Sequence, residues 1–220
     1  MTRGLAIVFT FGVLAAALVA GWYSNRQAQY FPPELHTTVN ECEPEPGLRY
    51  RGLVLDRKDA VWFGEVMADL GEPSLHQRPA GSSRVVRLVW DPGFDSPMSV
   101  RLEAGEDAQW AMRARNLSFY PRYRPGRDGP RTGEIVRRLD AQEAGSFERL
   151  LDKSGLIKSP SSSCVAGGVD GISWIIETFD PVEGYRYHYR QTPQDGPFYD
   201  LGVFMSDLTG WDYGPGVSGS

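Results

Sequence analysis

The sequence predicts an α+β fold, in which a mainly antiparallel twisted sheet is packed by about two helices and preceded by an N-terminal transmembrane or signal helix. Three observations lead to this prediction: short β-rich segments separated by turn signals, two later amphipathic segments with clear ends, and an apolar run near the start. A chain of 220 residues with 41% hydrophobic content supports one ordinary core. We therefore expect a linker over 27–47, a single domain over 48–211 and a disordered tail over 212–220.

The apolar run predicts the compartment. No charged residue lies between Arg3 and Arg26, and the run over residues 5–23 approaches the length of about 20 residues that a spanning helix needs. We expect residues 1–26 to form a signal anchor in a bacterial inner membrane, with the domain facing the periplasm. The alternative is a cleaved signal peptide, because small residues follow the run, and cleavage would give a secreted or periplasmic protein.

The two cysteines of the chain, Cys42 and Cys164, fit an exported domain. In an oxidising compartment they can pair and tie the expected linker to the later part of the domain. The alternative is that they remain two unrelated small apolar residues.

Four strands are predicted in the first half of the domain, from the segments LRYRGLVL, RVVRLVW, MSVRLEA and AQWAMRARNL. Turn signals such as DPGFDSP separate them, and this spacing favours an antiparallel meander. The segment over residues 60–71 is ambiguous between a strand and a short helix, because period does not distinguish short apolar runs.

Two helices have clearer ends. Asp140 followed three residues later by Glu143 is a capping-box arrangement, and Gly155 is a natural C-terminal stop. The second helix is predicted to begin near Pro197, with apolar residues at helical spacing, and to end at Gly210.

The segments SWIIETF and GYRYHYRQ, joined by DPVE, predict a β-hairpin. The register expected places Glu177 opposite Arg186 and Ile175 opposite His188, so that aromatic rings collect on one face and charged groups on the other. Glu177 and His188 are then weak catalytic candidates, as a general-base pair on the polar face. The alternative is a purely structural pairing of Glu177, Arg186 and His188.

The segment from Arg113 to Arg138 is basic. It holds eight arginines against two acidic residues, a net charge of +6 in a chain whose formal charge is −5. Its candidate ligand-binding residues are Arg122, Tyr123, Arg124 and Arg127. Interleaved arginines and aromatic rings can bind phosphate or carboxylate groups, so an anionic lipid or envelope glycan is the expected partner, and nucleic acid is not. The alternative is a solvated loop.

No metal or cofactor is predicted from the sequence. The three histidines are widely separated, and the chain carries neither the His and Cys spacing of a zinc site nor a glycine-rich phosphate loop before a helix.

The C-terminal region, DGISWIIET followed by GYRYHYRQTP and GPFYDLGVFMSDLTGW, resembles a family of uncharacterised proteobacterial exported or membrane-anchored proteins. The matching positions are Asp170, Gly171, Trp174, Glu177, Tyr187, His188, Arg190, Pro193 and the helix that ends at Trp211. The resemblance covers about the last 45 residues. It implies a hairpin followed by a helix, and it implies no activity.

Taken together, these observations predict a non-enzymatic, membrane-anchored cell-envelope protein that serves in binding or assembly, with an envelope protein as one possible partner. Two alternatives stay open. One is an envelope hydrolase that uses Glu177 and His188, and the other is an anionic lipid- or glycan-binding module that uses the segment from Arg113 to Arg138.

Overall fold

The computed structural model describes residues 30–79, 81–93, 96–105, 107, 109–117, 132–165 and 171–211. The strands are β1 Val39–Glu45, β2 Leu48–Leu53, β3 Val85–Asp91, β4 Met98–Ala104, β5 Trp110–Leu117, β6 Thr132–Arg138, β7 Ser162–Cys164, β8 Ser173–Asp180 and β9 Gly184–Gln191. The helices are α1 Arg57–Asp69, α2 Ala141–Ser154 and α3 Gly196–Asp207, and a short 3-10 helix covers Pro33–His36.

The predicted α+β class with a mainly antiparallel sheet is confirmed. Seven strands form one sheet in the order β6-β5-β4-β3-β8-β9-β7, and β1 and β2 form a separate hairpin. Every neighbouring pair in the large sheet is antiparallel except β7 and β9, which are parallel. The four strands predicted in the first half of the domain correspond to β2, β3, β4 and β5.

Three helices, rather than about two, pack on this sheet. The ambiguous segment over residues 60–71 belongs to α1, and Asp56 caps this helix by accepting a hydrogen bond from the Asp59 N–H at 2.8 Å. In α2 the predicted capping box of Asp140 and Glu143 is present. Gly155 ends α2 with φ +66°, a left-handed conformation that glycine adopts without strain.

The helices cover both faces of the sheet, which gives three layers. On one face, α2 and α3 pack on alternate side chains of β3, β4, β5 and β8, and buried Trp110, Phe147 and Trp174 lie in this core. On the other face, α1 packs together with Phe31 and Leu35 on Val89, Ile175 and Tyr187. Because both faces are covered, β3 is buried along its whole length.

The described part of the segment expected to be a linker, residues 30–47, is instead packed onto the domain. Phe31 and Leu35 are almost completely buried, and β1 follows them. The predicted disulfide between Cys42 and Cys164 is confirmed, with a Cα–Cα distance of 5.8 Å, and it joins β1 to β7. Buried apolar residues and a covalent bond therefore hold this segment on the domain. Its proline and polar residues indicated a linker, but they do not by themselves prevent a segment from packing.

The expected signal anchor over 1–26 and the tail over 212–220 lie outside the described residues. Within the described ranges, no helix is both long and apolar enough to cross a membrane.

The hairpin of β8 and β9 is present, but the predicted register is wrong by one residue. Glu177 pairs with Tyr187 and His188 pairs with Ile176, so Glu177 and His188 point to opposite faces of the sheet. The connection is a three-residue loop between Asp180 and Gly184, whose φ of +76° is the left-handed conformation typical of such loops. The expected polar face shared by Glu177 and His188 does not form.

Candidate functional site

Four charged side chains meet on the face of the sheet that α1 covers. Arg87 on β3 is fully buried and pairs across the strands with Arg101 on β4 and with Glu177 on β8. Its Nε and Nη2 donate to Glu177 Oε2 at 3.0 and 2.5 Å. Glu72 lies between the two arginines, with Oε2 3.3 Å from Arg87 Nη1 and 3.1 Å from Arg101 Nη1. Two glutamates thus balance two arginines in this charge cluster, so no uncompensated charge is buried.

Two tyrosines complete the charge cluster. The hydroxyl of Tyr185 donates to Glu177 Oε1 at 2.7 Å, and the guanidinium carbon of Arg87 lies 5.6 Å from the ring centroid of Tyr30. Burial acts to lower the pKa of Arg87, but Glu177, Tyr30 and Glu72 more than offset burial and raise it. Both oxygens of Glu177 are therefore committed to structural partners, and the cluster connects β3, β4, β8 and β9 with the chain after α1.

His188 is buried on the opposite face, where it also makes structural hydrogen bonds. Its Nε2 lies 2.9 Å from the carbonyl oxygen of Leu156, and its Nδ1 lies 3.1 Å from the Ser162 hydroxyl. The carbonyl only accepts, so Nε2 carries the proton and Nδ1 accepts from Ser162. Burial lowers the pKa of His188 to about 4; the hydrogen bond to the Leu156 carbonyl opposes this, and Arg190 and Arg186 lower the pKa further. The ring is thus neutral and links β9 to Leu156 in the segment after α2.

A cavity of about 220 Å³ opens where α1, the hairpin of β1 and β2, and strand β9 meet. We call it the α1 cavity. Its lining residues are Tyr50, Leu53, Val54, Leu55, Asp56, Asp59, Phe63, Ser163, Val165, Tyr187 and Tyr189.

The floor of the α1 cavity contains a buried polar group without a partner. Tyr187 on β9 has no solvent exposure, and its hydroxyl makes no hydrogen bond with any described residue. Burial raises the pKa of this phenol well above its usual value, and Tyr189, Glu177, Asp59 and Asp56 raise it further. The two aspartates that line the cavity thus act on this phenol through their charge. A buried hydroxyl without a partner is costly, and in native proteins it is a rare arrangement that needs a reason.

Two carboxylates stand at the rim of the α1 cavity. Asp56 caps α1 and Asp59 lies one turn further on, and both are exposed. Within the described part of the chain, the carboxylate of Asp59 makes no hydrogen bond and no ion pair. Burial of part of its surface and the neighbouring Asp56 raise the pKa of Asp59, while Lys58 lowers it. The rim is thus a region of negative potential that faces aromatic walls.

The structure gives no placement for the predicted anion-binding residues. Arg122, Tyr123, Arg124 and Arg127 lie outside the described residues. The described arginines at the two ends of the basic segment are engaged in the fold. Arg113 and Arg115 pair with Glu134, Arg137 pairs with Glu143, and Arg138 pairs with Asp107.

The residues that form the charge cluster and the α1 cavity were missed as site residues at the sequence level, apart from Glu177. A signal was present for Asp56, which precedes a run with helical character, and for the tyrosines at every second position of β9. No local signal connects Arg87 with Glu177, because 90 residues separate them in the sequence.

Comparison of the chain with known protein families and with curated proteins found no match. Among the described residues, no group of three or more His, Cys, Asp or Glu side chains is placed to hold a metal ion.

Proposed function

We propose that this protein is a non-enzymatic, exported binding protein and that the α1 cavity holds its ligand. The single observation that carries the proposal is Tyr187, a residue that lines the cavity and whose buried hydroxyl has no hydrogen-bond partner among the described residues. An unpaired buried hydroxyl costs about 1–3 kcal/mol, and phenylalanine would fill the same space without that cost. A ligand that pairs with the hydroxyl gives the tyrosine a reason to be there.

The walls of the cavity support this reading. Tyr50, Phe63 and Tyr189 line the cavity together with Tyr187, and small-molecule sites typically combine such apolar and aromatic walls with a few placed polar groups. The disulfide between Cys42 and Cys164 fixes one wall, because it joins the hairpin of β1 and β2 to β7 beside Ser163. The site is therefore held in shape before a ligand arrives.

Fluorotyrosine NMR on the full chain tests the proposal. The probes are butylammonium, butanol and butyrate, which share one carbon chain and differ in charge. We expect the Tyr187 resonance, assigned through Tyr187→Phe, to shift saturably with at least one probe. Tyr199 stacks on Trp174 on the opposite face of the sheet and is the internal control. The proposal fails if none of the three probes moves the Tyr187 resonance, or if Tyr199 moves to the same extent.

The disulfide is consistent with an exported protein outside the cytoplasm. We further propose that the apolar run over residues 5–23 anchors the protein in a bacterial inner membrane with the domain facing the periplasm. Alkaline extraction of membranes from cells that express the full chain tests this. Recovery in the membrane pellet is expected, and release as a soluble protein with a shortened N-terminus would show the cleaved signal peptide instead.

A further inference from the structure

The charged residues that line the α1 cavity are both acidic. Asp56 and Asp59 line it, and of the described lining residues none is a lysine or an arginine. The N-terminus of α1 contributes only about half a positive charge, part of which Asp56 already compensates as the cap. Two carboxylates therefore outweigh the helix dipole, and the opening favours a cation over the anion that a bare helix N-terminus attracts.

The aromatic walls favour the same sign of charge. The faces of tyrosine and phenylalanine rings are electron-rich and attract cations within about 6 Å. One of these rings depends on a glycine. A Cβ at Gly52 would lie 2.7 Å from Tyr50 Cζ, closer than such atoms approach in proteins. The absence of a side chain at Gly52 thus lets the Tyr50 ring lie on β2, where it forms part of the cavity wall.

The buried hydroxyl adds a requirement for a hydrogen-bond donor or acceptor. Its raised pKa keeps the Tyr187 phenol neutral, so its oxygen can accept a hydrogen bond from an N–H group. An ammonium group with N–H bonds suits all three kinds of residue that line the cavity, namely Tyr187, the other aromatic residues and the two aspartates. A quaternary ammonium group carries the same charge but has no hydrogen to donate.

We infer that the α1 cavity binds the ammonium end of an alkylamine, either a free amine or a lysine side chain. This inference rests on the proposed function and names the chemical class of its ligand. The ammonium lies against Asp59 and Asp56, its N–H meets the Tyr187 hydroxyl, and its alkyl chain packs on Phe63 and the tyrosine rings. A volume of about 220 Å³ suits a single short chain rather than a large cofactor.

Isothermal titration calorimetry on the full chain, at low and at raised salt, tests the inference. Butylammonium should bind more tightly than butanol, butyrate or tetramethylammonium, and its affinity should fall as salt screens the carboxylates. Asp59→Asn should weaken the binding of butylammonium about fivefold, since a partly exposed charge pair contributes about 1 kcal/mol to the binding free energy. Tyr187→Phe should remove the preference for butylammonium over tetramethylammonium.

The matched control is Asp152→Asn. Asp152 is an exposed acidic residue on α2, on the other side of the sheet, so this change alters net charge equally and should leave butylammonium affinity unchanged. A capped lysine, N-acetyl-lysine-methylamide, separates the two sources of the ammonium. Tighter binding of capped lysine than of butylammonium indicates a lysine in a partner chain, and the reverse order indicates a free amine.

The ammonium inference and the proposed binding function fail on different results. If butyrate or butanol binds as well as butylammonium, or if Asp59→Asn and Asp152→Asn behave alike, the ammonium inference is overturned while the cavity remains a binding site. If no probe binds and none moves the Tyr187 resonance, the proposed function itself fails.

Discussion

Two tyrosines of β9 that lie on the same face of the sheet, Tyr185 and Tyr187, have opposite hydrogen-bonding states. Tyr185 donates to the buried carboxylate of Glu177, whereas the hydroxyl of Tyr187 has no partner among the described residues. Because both rings are packed in the same layer, the difference between them isolates what a buried phenolic hydroxyl contributes.

Replacement of each tyrosine by phenylalanine should therefore change stability in opposite directions. Tyr187→Phe removes an unpaired buried hydroxyl and should raise the free energy of unfolding by about 1 kcal/mol. Tyr185→Phe removes a hydrogen bond to a charged group and should lower it by about 1.5–3 kcal/mol. Urea denaturation of both variants checks this. An equal decrease in the free energy of unfolding of the two variants would mean that the Tyr187 hydroxyl has a hydrogen-bond partner in solution.

His188 should make the fold sensitive to mild acid. Its pKa is about 4 in the folded protein against about 6.5 when unfolded, so the unfolded chain binds the proton more readily between these values. Stability from this residue is complete above pH 6.5 and falls as the pH falls toward 4. Between pH 7.5 and pH 5 the loss should be about 2 kcal/mol.

The measurement is the free energy of unfolding as a function of pH, compared with His188→Gln. The carboxylates contribute to both profiles, so the difference between the two reports on the histidine. Parallel profiles between pH 7.5 and pH 5 would contradict a depressed pKa at His188.

At the scale of elements, the hairpin of β1 and β2 depends on bonds to β7. The disulfide joins Cys42 to Cys164, and the side chain of Asn40 donates to the Ser163 carbonyl at 2.7 Å and accepts from the Ser163 N–H at 3.1 Å. Two strands alone are marginally stable in water, so these bonds keep the hairpin in place. The hairpin in turn supplies Tyr50 and Leu53 to the α1 cavity.

The double variant Cys42→Ser/Cys164→Ser should lose about 4–5 kcal/mol of stability, because the disulfide closes a separation of 122 residues. Hydrogen exchange should show the largest loss of protection in β1 and β2, with β3 and β8 changed only by the global loss. Butylammonium binding should weaken in the same variant. Uniform loss of protection across all strands would mean that the hairpin is not a separate unit.

At the scale of the whole molecule, local signals predicted the elements better than their arrangement. Strands β2 to β5, the strands β8 and β9, the capping box of Asp140 and the disulfide follow from short patterns or from simple pairing. The register of β8 and β9 does not, because β8 is buried on both faces and its apolar run does not indicate which face is which. The expected partner of Glu177 was Arg186 on the adjacent strand, but the actual partner is Arg87 on β3.

The candidate site was less predictable than the fold for the same reason. The α1 cavity takes residues from β2, α1, β7 and β9, which tertiary packing alone brings together. A sequence pattern reports on neighbours along the chain, so it indicated the aromatic face of β9 but not the residues of β2, α1 and β7 that lie beside it. The ion pairing of Glu177 and the isolation of the Tyr187 hydroxyl depend on strands far apart in sequence.

The position of the disulfide also sets an order of events in biosynthesis. Cys164 follows Cys42 by 122 residues, so a chain that leaves the ribosome or the export channel N-terminus first presents one cysteine long before the other. The bond can close only after β7 has emerged and only where thiols are oxidised. The wall of the cavity that carries Tyr50 is thus fixed only once β7 has emerged into an oxidising compartment. In the reducing cytoplasm, a newly made chain would lack the covalent bond that holds this wall.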